Sequence, residues 1–86
     1  MVAKIQQSSV FKSGIYRHYK GYEYLAYAVA QHSETEEALV VYRCLYGDRS
    51  LWVRPLAMFN ETVERDGEVL PRFELVKAID KPEFYQ

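Results

Sequence analysis

The chain predicts a small all-β domain, an SH3-like, partly open barrel with one short helical turn, and three observations lead there. Runs of tyrosine, valine, leucine and isoleucine recur at strand length, turn pairs such as Lys20-Gly21 and Asp66-Gly67 separate them, and only Leu56 to Val63 carries a helical spacing. Eighty-six residues make one domain with a modest core. Apolar types at 49% and aromatics at 15% are too many for a disordered chain, so most large side chains are needed inside.

Each element follows from local pattern. Residues 1–13 form an N-terminal arm without a sustained period, expected to dock through Val10 and Phe11. The β domain spans 14–76, and 77–86 is a tail. Period-two alternation from Gly14 to Lys20 gives a first strand that turns at Gly21. Tyr22 to His32 gives a second, with Tyr22, Tyr24, Ala26, Ala28 and Ala30 on one face and Glu23, Leu25, Tyr27 and Val29 on the other. Polar Ser33-Glu34-Thr35-Glu36 shapes a turn, and Ala38 to Tyr46 is β-branched and aromatic enough for a third strand. After the turn-rich Gly47-Asp48-Arg49-Ser50, Leu51 to Arg54 is a short strand stopped by Pro55, which has no amide hydrogen for a ladder. Pro55 suits a first helical position, and Leu56, Phe59 and Val63 then fall on one side of a short turn. Asp66-Gly67 marks a two-residue hairpin, and Phe73, Leu75 and Val76 lie on a last extended segment.

Charge and cysteine bound the partners. Eleven Lys+Arg against twelve Asp+Glu leave −1, so an anionic partner must be held by a local patch and not by a global field. A lone Cys44 cannot form an internal disulfide, which fits an expected reducing cytoplasm, and with no apolar run of signal-peptide or membrane-span length neither segment is expected.

The segment FKSGIYRHYKGY supplies such a patch. Lys12, Arg17, His18 and Lys20 interleave with Tyr16, Tyr19 and Tyr22 without an acid, the composition that grips phosphate while stacking bases. An ordinary strand with tyrosines inward and cations in water gives the same string. Trp52 and Arg54 in LWVRPLAMF are residue types that anchor interfaces, although Trp52 plugging the barrel end under Met58 and Phe59 is equally consistent with the sequence. The expected ligand-binding set is Tyr16, Arg17, His18, Tyr19, Lys20, Tyr22, His32, Arg43, Trp52 and Arg54. The expected ligand is a nucleotide or single-stranded nucleic acid. The alternative is a protein or peptide partner, or a second copy, anchored by Trp52 and Phe59.

Catalytic readings find less support. His32-Ser33-Glu34 has triad residue types, but neighbours on an extended chain point to opposite faces and cannot form the relay. An enzyme would need His18 and His32 to converge in a cleft. His18, His32 and Cys44 lack metal-ligand spacing, the four glycines stand singly, and no metal or cofactor is expected.

The segments GIYRHYKG, VAQHSETEEALVVYRCLYGD, LWVRPLAMF and DGEVLPRFELV, in this order, resemble domain-of-unknown-function family 1653, small bacterial proteins. The resemblance runs from Gly14 to about Val76 and is tyrosine-richer than expected at Tyr22 to Tyr27. It implies a compact, mainly β bacterial domain and transfers no catalytic role. The residues that match the family's pattern and can also recognise a ligand are Tyr16, Arg17, His18, Tyr19, Lys20, His32, Ser33, Glu34, Thr35, Tyr42, Arg43, Trp52 and Arg54.

Overall fold

The alternating segment that opens the β domain folds as β1, Gly14–His18, in a computed structural model that describes residues 11–82. It is followed by β2 (Glu23–Gln31), β3 (Ala38–Cys44), β4 (Leu51–Pro55), α1 (Leu56–Phe59), β5 (Thr62–Arg65), β6 (Glu68–Pro71) and β7 (Phe73–Ala78). Residues 1–10 of the expected arm, Val10 among them, and 83–86 of the expected tail lie outside the described residues. Phe11 is described, and its ring stacks 6.3 Å from Tyr16 and meets Phe59 edge-on at 6.2 Å.

The mainly β expectation holds. Five strands form an antiparallel sheet in the order β4-β3-β2-β1-β7, and β5 with β6 forms a separate two-stranded ribbon. No closed barrel forms among the described residues, because β4 and β7 end the sheet and are not hydrogen-bonded to each other. The sheet nevertheless curls far enough for the Arg54 guanidinium of β4 to lie over the Phe73 ring of β7, 5.6 Å from its centroid. The twist inherent in β-strands and two bulges supply that curl.

The bulge in β2 corrects the simple two-face assignment. Pairing with β3 skips a residue between Ala26 and Ala28. Ala26 is buried in the core while Tyr27 is buried outside the core cluster, and beyond the bulge Val29 packs inward while Ala28 is exposed. An extra residue shifts the side-chain alternation by one, so no single parity runs from Tyr22 to Ala30.

The core occupies the inner face. Tyr16, Ala26, Val40, Tyr42 and Phe73 come from the sheet, and Leu56 and Phe59 from α1, which packs onto that face. Helical spacing predicts Leu56 and Phe59 on one side, as found, whereas Val63 belongs to β5. Asp66 and Gly67 both have positive φ, 54° and 82°, as a tight turn between strands requires. No helix of the described residues is long and apolar enough to cross a membrane.

Candidate functional site

Strand parity sorts the expected residues before any side chain is considered. Residues paired across the ladder share a face, so Trp52 and Arg54, opposite Tyr42 and Val40, point to the inner face, while Leu51 and Val53 point outward. At the mouth of the inner face lies an open groove of about 380 Å³, lined by Tyr24, Tyr42, Cys44, Tyr46, Gly47, Asp48, Ser50, Trp52 and Arg54.

Trp52 is 55% exposed and donates its indole N–H to Ser50 Oγ at 2.8 Å, so it forms a groove wall and does not plug the core. Its emission is expected at long wavelength and open to an aqueous quencher; a blue-shifted, protected spectrum would return the ring to the interior. Tyr24 and Tyr46 share a hydrogen bond between their hydroxyls at 3.0 Å, and that bond, ahead of burial, raises the pKa of Tyr46 above the ordinary phenol value. The Tyr22 ring lies 4.8 Å from Tyr46, which extends the aromatic surface to the outside.

Cationic groups gather near Phe73. His18 lies 4.9 Å edge-on from Phe73, whose ring also carries Arg54. Lys20 N–H donates to His18 Nδ1 at 3.1 Å, which leaves the proton of the neutral imidazole on Nε2. Burial, then the positive charges of Arg72, Arg54 and Lys20, holds the His18 pKa below its ordinary value. The Nε–H groups of both Arg54 and Arg72 are buried without an acceptor, an arrangement that costs about 1–3 kcal/mol for each such group. Arg72 also reaches Glu61 Oε1 through Nη2 at 3.3 Å. Asp48 stands elsewhere on the groove wall, its Oδ1 accepting from Ser50 N–H at 3.1 Å.

The other expected residues are dispersed. Tyr16 is buried, its hydroxyl donating to the Lys12 carbonyl. Arg17 is on the outer face and is ion-paired to Glu23 at 2.8 Å. Arg43 is also on the outer face, donating from Nε to Tyr27 Oη at 2.9 Å and from Nη1 to the Arg49 carbonyl at 2.7 Å. Lys20 and Arg65 both approach the Tyr19 ring, each 5.9 Å from its centroid, beside the His18 end. His32 organises the β2–β3 turn: its Nδ1 accepts from Glu34 and Thr35 N–H at 3.0 and 3.3 Å. His18 and His32 sit at opposite ends of β2, roughly 30 Å of strand, and do not converge. Phe59 is 2% exposed, so as a surface anchor it is corrected to a core residue. Among the described residues no group of three or more His, Cys, Asp or Glu could hold a metal ion.

Sequence reasoning missed Tyr24, Tyr46, Arg72 and Phe73 as site residues. Tyr24 had a usable signal, since it shares its inward parity with Ala26 ahead of the bulge. Arg72 had none, because only the return of β7 to β1 brings it to His18.

Comparison with known proteins gives a consistent family. The model of a protein family of unknown function, DUF1653, matches residues 14–75. A crystal structure of a DUF1653 protein from Bordetella bronchiseptica is 42% identical, superposes with a TM-score of 0.76, and the match covers 87% of this chain and 97% of that one. No curated protein matches.

Proposed function

The chain belongs to the DUF1653 family, whose function is unknown, and on that premise we propose that it is a binding module for a nucleotide or single-stranded nucleic acid, seated in the Trp52–Arg54 groove. The observation that carries this reading is a half-exposed Trp52 beside Arg54 on one face of an open, tyrosine-lined groove. Every base offers a flat face to an aromatic side chain, and each such stack contributes about 1–3 kcal/mol, while a guanidinium alongside holds phosphate. The finer fold reading is an SH3-like, partly open barrel: four strands in a meander, a helical turn packed onto the core face, and a last strand returning to the first.

The test is an amide-shift titration of labelled protein with nucleotides and short oligonucleotides at low and then moderate salt. Shifts are expected at Tyr24, Tyr46 and residues 52–54, weakening with salt as released counterions oppose binding. Trp52→Ala is expected to cost about tenfold or more in affinity, from the loss of one stack. Arg17→Ala is expected to leave affinity and salt slope unchanged, because its charge faces outward against Glu23. A spectrum silent to every nucleic-acid ligand would sink this reading. It would favour a protein or peptide partner, for which the exposed Leu51 and Val53 of edge strand β4 speak.

A further inference from the structure

The groove is electrically uneven. Arg54, on its wall, lies over the Phe73 ring, beside which His18 of β1 packs edge-on, while Arg72, the residue just ahead of Phe73, adds its positive charge to the field at His18. Elsewhere on its wall stands the Asp48 carboxylate, which repels an anion. Resting on the reading of the groove as a nucleotide or single-strand site, we infer that the His18–Arg54–Arg72 cluster takes a terminal phosphate monoester, that of a free nucleotide or a phosphorylated strand end, in preference to an internal phosphodiester.

The chemistry favours a monoester in two ways. Donors that approach from three separate elements suit a group with three terminal oxygens and a charge near −2, whereas a diester offers two such oxygens and one charge. Two guanidiniums also hold buried Nε–H groups without an acceptor, and a guanidinium that turns to meet an oxyanion through Nε and one Nη satisfies that donor in a bidentate pair. His18 offers only Nε2–H, since Nδ1 is engaged by the Lys20 amide.

The charges that act on His18 are positive. Arg54 approaches from β4, Arg72 from beside β7, and Lys20 and Tyr19 from the β1–β2 turn. Tyr24 of β2 lies 6.4 Å away, ring to ring. Arg72 is itself paired with Glu61. Bound phosphate reverses this field, so His18 gains affinity for a proton and binding takes up protons near the His18 midpoint.

The experiment compares adenosine 5′-monophosphate with adenosine, and a short oligothymidylate carrying a 5′-phosphate with the same strand ending in 5′-hydroxyl. Affinity is followed at Trp52, and the His18 ring protons are titrated with and without ligand. The phosphorylated member of each pair is expected to bind about tenfold or more tightly. The His18 midpoint is expected to rise on binding, and Arg54→Gln to abolish the preference. The nucleotide and strand arms separate the two sources of the phosphate. Equal binding of the 5′-phosphate and 5′-hydroxyl strands, with an unmoved His18, would overturn the monoester assignment and leave the groove reading standing. Failure of every ligand to perturb Trp52 would overturn both.

Discussion

Phe59→Ala is expected to lower the free energy of unfolding by about 3–5 kcal/mol, the cost of emptying a buried phenyl site. The ring is 2% exposed and lies flat against Phe73, centroids 4.4 Å apart and planes 5° apart. Tyr16 meets it edge-on at 4.9 Å, and Tyr42 lies at 6.4 Å. An alanine leaves these rings facing a void that the curled sheet cannot collapse into without moving α1. A domain of this length has a total stability of about 4–13 kcal/mol, so the loss consumes much of it. Urea unfolding followed by far-UV circular dichroism measures it, since Trp52 sits outside the core. Phe59→Leu, which keeps most of the volume, is expected to cost about 1–2 kcal/mol. A loss under about 1 kcal/mol for the alanine variant would mean that Phe59 is not the centre of the packing.

Gly14→Ala is expected to cost about 2–4 kcal/mol, with strain and overpacking acting together. Gly14 has φ of +146°, and a Cβ there would stand 2.2 Å from the Lys77 carbonyl oxygen and 2.9 Å from Ala78 Cα. Both obstacles are backbone, so no side chain can swing aside. Ser13 and Ile79 clasp the same place: Ile79 N–H donates to the Ser13 carbonyl at 3.0 Å, and Ser13 Oγ donates to the Ile79 carbonyl at 2.7 Å. Loss of exchange protection at the Ile79 amide is the local readout. Gly21 is the control, with φ of +106° and nothing within 4 Å of its Cβ position, so Gly21→Ala carries strain alone. Equal costs for the two variants would show that the close approach of β1 and β7 is not what demands glycine at 14.

Most of the strand order along the chain was legible in the residues. Asp66-Gly67 announces its hairpin because both turn positions need positive φ, and Pro55, the last residue of β4 and the N-cap of α1, marks the change between them because it has no amide hydrogen to donate to the ladder. The basic tyrosine segment was legible only as composition. Alternation says that Tyr16 and Arg17 face opposite ways, but not which way is inside, and that choice separates a buried Tyr16 from an outward Arg17. The β2 bulge hides equally well, since an inserted residue leaves the string looking like a longer strand.

The sequence by itself determined a mainly β fold, its turns, its short helical turn and its family, because these depend on local backbone preference and on the order of short apolar runs. Only the tertiary structure decided that Trp52 is a groove wall while Phe59 is core, and that the charges of Arg54 and Arg72 act on His18 beside the Phe73 ring. Those residues belong to β1, β4 and the approach to β7, far apart along the chain. Their meeting depends on the curl of a sheet whose last strand pairs with its first, and sheet curl is a property of the assembled ladder that no single segment encodes.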